Sequence, residues 1–253
     1  MVLGVGAISV KVAIVGCGGI ARRHIHGFQQ VPDAEFVAMC DVQEGRARAC
    51  AAEYGGRAYT SVVDALETEA PDLVDVCTRE MDRDVPVIQS VERGFTTLAE
   101  KPLFAARGPY TVMPHDVPVA RRMLDASDAG GGELLMASNY RFGEYAQGLK
   151  AMIDAGELNE LQYVHASTRL ACWSHVIDLL RWFCGDIVDV AAALGGPEEA
   201  RTRTSSPPAL SRSTAEPALS HHSMGLRALE VDAAFVLAAE RRAWVNPIEE
   251  FEV

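Results

Sequence analysis

Gly16, Gly18 and Ala21 follow directly on the apolar run Val12-Ala-Ile-Val15, so the spacing is G-x-G-x-x-A at the end of a β-favouring segment. A strand that turns sharply into a helix presents unpaired backbone N–H groups and the positive end of a helix dipole, which suits a phosphate. Gly16 permits the tight turn. Gly18 has no Cβ, so a pyrophosphate can approach the backbone, and Ala21 is small enough for the helix to pack closely on its strand. Glycine turns after strands are common, and the acidic residue closing the next apolar run sharpens the pattern. That run is Glu35-Phe-Val-Ala-Met-Cys40, and Asp41 lies twenty positions beyond Ala21, where a carboxylate that accepts from a ribose hydroxyl belongs. Asp41 could instead cap the helix after it, with Glu44 three residues on. The spacing favours the ribose role, and the chain is expected to bind a dinucleotide.

Cys172, His175 and Asp178 recur at three-residue spacing, a set of side chains that can ligate a metal. Three donors without a fourth beside a helix start do not make a convincing site, and no metal is expected. His221-His222 falls in a biased segment and carries no chemistry of its own.

A core of ordinary size must hold these residues in place. The 253 residues are 49% hydrophobic and 23% charged, enough for one large or two modest domains. The 35 acidic against 23 basic residues give a net charge of -12, which makes nucleic acid or an anionic membrane an unlikely partner class. Residues 1–10 are apolar but lack a basic start and run into the first strand, so they read as its lead-in and not as a signal peptide. No run approaches the ~20 apolar residues that span a bilayer. The six cysteines contain no CxxC pair and several lie in apolar elements, which fits a reduced, cytoplasmic setting.

The first half alternates short apolar strands with amphipathic helices, the pattern of an α/β domain with a parallel sheet. Residues 43–54 read as a helix ended by Gly55-Gly56, and Ser61 as the cap of a helix over 62–67. Leu73–Thr78 is a strand, a helix with Val87, Ile88 and Val91 on one face follows, and Thr96–Ala99 leads to Glu100-Lys101-Pro102. Residues 104–114 read as a loop, 116–127 as a helix and 133–138 as a strand. In the helix over 144–155, Tyr145, Leu149, Met152 and Ile153 share a face.

The pattern then changes. Residues 161–170 alternate as a long strand, and residues 175–184 form a helix apolar nearly all round, hence buried. Residues 187–194 and 229–238 are further strands. Gly195–Arg227, rich in Pro, Ser, Arg and Thr, reads as a long biased loop. These segments predict domains over 1–139 and 140–253, the second a smaller α+β domain with an open, mostly antiparallel sheet.

Taken together the motifs resemble the Gfo/Idh/MocA family (glucose–fructose oxidoreductase and inositol dehydrogenase). They are the glycine turn with Asp41, Val74-Asp-Val-Cys-Thr78, Glu100-Lys101-Pro102, Asn139-Tyr-Arg141-Phe142, Ile153–Leu158 and Ser174-His175-Val-Ile-Asp178-Leu-Leu-Arg-Trp182. The likeness runs from about residue 11 to 194. It implies a Rossmann doubly wound sheet and an NAD(P)-dependent oxidoreductase acting on a sugar, cyclitol or related polyol. It further implies cofactor contacts from Gly16, Gly18, Gly19, Ile20, Ala21, Asp41, Thr78, Glu100 and Lys101, with Lys101 and His175 as catalytic residues. In that family the lysine reaches the nicotinamide and the reacting hydroxyl, and the histidine accepts the proton. The roles are chemically sensible, because hydride leaves a carbinol carbon only as its hydroxyl proton is taken. Asp41 favours NAD over NADP, since a carboxylate repels a 2′-phosphate. Pairing of copies through the open sheet is also expected.

The chain departs from the family pattern at three places. Ala171 stands where an aspartate commonly precedes the histidine by four residues. Arg79-Glu-Met-Asp-Arg83 replaces Pro-x-x-x-His, and the second domain looks short of strands. These departures keep a second reading open, a dinucleotide-binding protein that has lost turnover.

Overall fold

The computed structural model describes residues 9–108, 111–159, 163–168, 172–191, 209–212, 221–241, 243 and 245–251. They fall into two compact units, one of residues 1–100 with 122–135, the other of residues 101–121 with 136–253.

The first unit is built on a six-stranded sheet in the order β3-β2-β1-β4-β5-β6. Its strands are β1 (Val10–Val15), β2 (Ala34–Cys40), β3 (Arg57–Tyr59), β4 (Leu73–Val76), β5 (Thr97–Ala99) and β6 (Leu134–Met136). The pairs β1–β2, β2–β3, β1–β4 and β4–β5 run parallel. A strand buried on both faces reads as continuous apolar sequence, and Val12, Ala13, Ile14 and Val15 are all buried. Chain order reverses between β1 and β4. That places a crevice beyond their C-terminal ends, the position at which doubly wound sheets bind ligands.

The connecting helices are α1 (Gly19–Phe28), α2 (Glu44–Tyr54), α3 (Val62–Glu69) and α4 (Asp84–Val91), with α5 (Val117–Gly130) preceding β6. Their ends follow the local chemistry. Ser61 Oγ accepts the Asp64 N–H at the start of α3, and Gly55 takes φ +93° where α2 stops. Ala21 and Ile25 of α1 are fully buried against Val12, Ile14 and Met39, so the small residue at position 21 does let helix and strand close on each other.

The second unit contains α6 (Glu144–Asp154), α7 (Trp173–Cys184), β7 (Ile187–Ala191), β8 (Ala209–Arg212), α8 (His221–Arg241) and α9 (Pro247–Phe251). Its core gathers Ile177, Ile187, Val190, Ala228, Val231, Ala234, Phe235 and Val245. Strands β7 and β8 pair antiparallel, and Val190 exchanges both backbone bonds with Val245 on the other edge.

Several expectations are corrected here. Residues 229–238 are not a strand but the middle of α8. Leu229, Val231, Ala233 and Phe235 alternate as a strand would, yet Ala228, Val231, Ala234 and Ala238 also share one helical stripe. The segment is buried on every side from Ala228 to Phe235, which a helix in a core allows. The biased loop over 195–227 is interrupted by β8 and by the first turns of α8; its other residues lie outside the described ones. Of the strand expected over 161–170, Tyr163–Thr168 are described and are not strand. Alternation supplies side-chain faces, but a strand forms only where a neighbour takes its backbone bonds. Helix α7 is present, but its most deeply buried residues are His175, Ile177, Asp178 and Arg181, three of them polar. Helix α6 forms as expected, while Tyr145, Leu149 and Met152 of its apolar face are exposed.

Candidate functional site

The glycine turn sits at the C-terminal end of β1, and its two outer glycines answer to different demands. Gly16 has φ +92°, and a Cβ there would lie 2.9 Å from the Thr78 backbone nitrogen and 3.0 Å from the Cys77 carbonyl carbon. The fold itself requires glycine at this position. Gly18 has φ −92° and Gly19 lies in the first turn of α1, and a Cβ at either would meet nothing within 4 Å. Packing within the protein therefore does not explain these two, whereas room for a ligand against the backbone does. Gly18 is also the N-cap of α1, no side chain caps that end, and the first turn holds no acidic residue. Its N–H groups are thus left for an anion. Ile20, half-buried, anchors the same turn to the core beneath.

Asp41 ends the strand β2 and is 8% exposed. One carboxylate oxygen accepts the Cys17 N–H at 2.9 Å, inside the glycine turn, and the other accepts the Gln43 N–H at 2.8 Å. The N-cap of α2 is Gln43, so Asp41 is not that helix's cap. It ties the turn to β2, and its remaining lone pairs can still accept from a sugar hydroxyl. Thr78 follows β4 on the other side of Gly16. Its hydroxyl is buried and makes no hydrogen bond, which marks a place where a ligand can supply the partner. Gly16, Asp41 and Thr78 are far apart in sequence and meet at one crevice, and the group fits a dinucleotide.

Deeper in the same unit lies a charged cluster that sequence reasoning did not single out. His24 of α1 places Nδ1 2.8 Å from Asp75 Oδ2 and Nε2 3.3 Å from Glu100 Oε1, with the Cys77 thiol 3.4 Å from Nδ1. Burial works against charge on this ring, but its hydrogen bonds with Asp75, Cys77 and Glu100 outweigh it and push the imidazole up to about 12. Burial raises the Cys77 thiol to about 12 as well. Arg83 is 2% exposed, donates to the Thr78 carbonyl at 2.7 Å and lies within the field of Glu100, Glu80 and Asp75. The available signal was a histidine on α1 and an aspartate inside an apolar strand, and it gains meaning only where Asp75 is fully buried and the half-buried His24 reaches it.

Lys101 and His175 belong to the second unit. Lys101 is half-buried and directly follows Glu100. In the loop after it, the fully buried Asp116 accepts the Ala106 and Met113 N–H groups at 3.1 and 2.8 Å. His175 occupies the first turn of α7 and is buried. Its ring stacks on Tyr140, with centroids 4.2 Å apart and planes 9° from parallel. Beside it Arg141 grips Asp178 through two bonds, one of them 2.6 Å, and Arg181 pairs with Asp186. The two motifs Asn139–Phe142 and Ser174–Trp182 are thereby joined residue to residue. Of the trio Cys172, His175 and Asp178, Asp178 is held by Arg141 and Cys172 accepts from the Tyr140 hydroxyl at 3.4 Å. Among the described residues, the donor atoms that gather within 4.8 Å are those of His24, Asp75 and Cys77.

Residues 10–111 match the model of the oxidoreductase family with an NAD-binding Rossmann fold. The chain is 26% identical over 204 residues to a D-apiose dehydrogenase of Paraburkholderia graminis, covering 72% of this chain and 52% of that one. It is 28% identical over 218 residues to inositol 2-dehydrogenase 1 of Saccharopolyspora erythraea, covering 79% and 60%. The chain thus spans between half and about three-fifths of the length of these curated relatives. In fold it is similar to the WlbA dehydrogenase of Bordetella pertussis, whose structure holds NADH and UDP-GlcNAcA. The TM-score is 0.73 at 18% identity, over 94% of this chain and 98% of that one.

Proposed function

We propose that this chain, whose residues 10–111 match the model of the oxidoreductase family with an NAD-binding Rossmann fold, is a dehydrogenase of the Gfo/Idh/MocA kind that uses NAD and a sugar, cyclitol or related polyol. The observation that carries the reading is the glycine turn, where Gly18 and Gly19 are open although the fold needs glycine only at Gly16. Gly16, Gly18, Gly19, Ile20 and Ala21 receive the pyrophosphate at the start of α1. Asp41 accepts from the ribose, and Thr78, Glu100 and Lys101 border the nicotinamide. The bound cofactor supplies the hydride acceptor or donor. Lys101 holds the reacting hydroxyl and favours its ionised form, and His175 takes the hydroxyl proton.

NAD is preferred over NADP, because the Asp41 carboxylate repels a 2′-phosphate. The first domain, about 1–139, binds the cofactor and the second, about 140–253, the substrate. The acidic balance weighs against nucleic acid and anionic membrane as main partners. Among the described residues no helix is long and apolar enough to cross a membrane. A cytoplasmic homo-oligomer is the proposed working state. A second reading, cofactor binding without turnover, draws on Ala171 and on a second domain short of strands in its sequence pattern. Titration with NADH and NADPH by fluorescence, followed by a screen of polyols on the same sample, separates the readings. Turnover of a polyol supports the enzyme, binding without turnover supports the second reading, and absence of NADH binding overturns both.

A further inference from the structure

His24 reaches from α1 to two strands at once. Its Nδ1 lies 2.8 and 3.1 Å from the two oxygens of Asp75 and its Nε2 3.3 Å from Glu100. Carboxylates only accept, so both contacts are satisfied together only when both ring nitrogens carry protons. The groups that face the ring are Asp75 and Cys77 from β4 and Glu100 from the end of β5, with the Arg83 guanidinium in the field of Glu100. Asp75 is fully buried and Glu100 is 9% exposed. Loss of the bridging charge would leave two carboxylates close together in a poorly solvated place. A metal ion could use the same donors, but tetrahedral ligands about 2.1 Å from zinc stand ~3.4 Å apart. The 2.8 Å separation of Nδ1 and Oδ2 is that of a shared proton.

Glu100 is joined by one peptide bond to Lys101. We propose that His24 is a positioning residue for the reacting centre: by holding Glu100 against Asp75, it fixes the backbone from which the Lys101 side chain departs. The proposal rests on the reading of Lys101 as the lysine that meets the reacting hydroxyl. Helix α1 then has two tasks. Its first turn faces the phosphates and its second turn grips the strand end that carries the lysine, so one rigid element sets the register of both.

The chain contains three lysines, Lys11, Lys101 and Lys150, which makes the test direct. In the intact protein with NADH bound, reductive ¹³C-methylation reports each amine by NMR. In His24→Gln the Lys101 signal and its titration move while those of Lys11 and Lys150 stay. In turnover, His24→Gln lowers kcat on the order of 10-fold to 10²-fold with KM for NAD within a few-fold. The same substitution made in a Lys101→Ala background lowers kcat no further, because it acts through that side chain. Glu100→Gln breaks the bridge from its other end, moves the Lys101 signal in the same way, and serves where His24→Gln fails to fold. Lys101 signals that do not move in either variant overturn the proposal, as does an equal loss of kcat with and without Lys101. Stoichiometric metal in the purified protein, lost in Cys77→Ser, overturns it too. A Lys101→Ala protein with the parent's kcat instead overturns the role of the lysine itself.

Discussion

Gly16 and Gly18 stand two residues apart, yet replacing them should fail in different ways. Gly16→Ala puts a Cβ within 3.0 Å of backbone at a φ of +92°. It is expected to cost about 1–3 kcal/mol of stability, read in denaturant unfolding. Gly18→Ala meets no protein atom within 4 Å, so its unfolding midpoint should stay near the parent's while NADH affinity falls at least tenfold in a fluorescence titration. Loss of stability without loss of affinity in Gly18→Ala would refute the ligand-side explanation. Lys101→Ala and His175→Ala should each lower kcat by on the order of 10²–10⁴ and leave NADH affinity within a few-fold. Steady-state kinetics beside the same titration checks both. His24 also makes stability depend on pH. Its pKa in the fold, about 12, is above the unfolded value, so its contribution is complete below about pH 6.5 and declines as the pH rises beyond that. The stability gap between parent and His24→Gln should therefore narrow from neutral to alkaline pH in chemical unfolding.

Among the elements, α7 shows how polar residues can be the buried side of a helix. Asp178 is held by Arg141 from the turn 139–142 and Arg181 by Asp186 past the helix end. At the start of α7, Asp232 of the neighbouring α8 takes hydrogen bonds from the Ser174 and Trp173 side chains. Burial nonetheless dominates at Asp232 and raises its carboxyl to about 8. The folded protein then keeps this proton where the unfolded chain, titrating near 3.9, gives it up, so stability falls as the pH rises from about 4 to about 8. Asp232→Asn keeps the shape and an acceptor but cannot ionise. Its stability relative to the parent should improve across that window, by at most a few kcal/mol, as followed by urea unfolding at stepped pH. A constant difference would show that Asp232 does not titrate there. Because His175 lies one residue beyond Ser174, the same variant should also change the pH dependence of turnover.

At the scale of the whole chain there are two compact units. The first holds the crevice at the switch between β1 and β4; the second holds the buried histidine with its stacked tyrosine. A ligand that binds only the folded first unit must stabilise it by mass action, by about 2.7 kcal/mol at a hundredfold excess over Kd. NADH should therefore raise the thermal midpoint in a dose-dependent way, and NADPH should raise it less at equal concentration. Equal or larger protection by NADPH would remove the assigned role of Asp41. Sedimentation at micromolar concentration should show an assembly of more than one copy, and a strictly monomeric boundary would count against the proposed homo-oligomer.

Much of the first unit was legible from the order of residues. Strand, glycine turn and helix at Val12–Ala21 are local events, decided by backbone freedom at Gly16, the small side chain at Ala21 and the apolar run before them. Alternation of strands and helices then leaves few arrangements other than a parallel sheet, which is why Asp41 could be placed beside the turn by counting. The second unit was less legible because its pattern had two solutions. Residues 229–238 alternate and also repeat at helical spacing, and only the surrounding core, closed on all sides of Ala228–Phe235, chose the helix. Tyr163–Thr168 pair in no ladder among the described residues, and a pairing partner is something no sequence pattern supplies. The pairing of His24 with Asp75 and Glu100, 51 and 76 residues away, was likewise decided by tertiary structure. Spacing along the chain says nothing about charges that meet only after a sheet has folded, and their burial, which gives the contact its strength, exists only then.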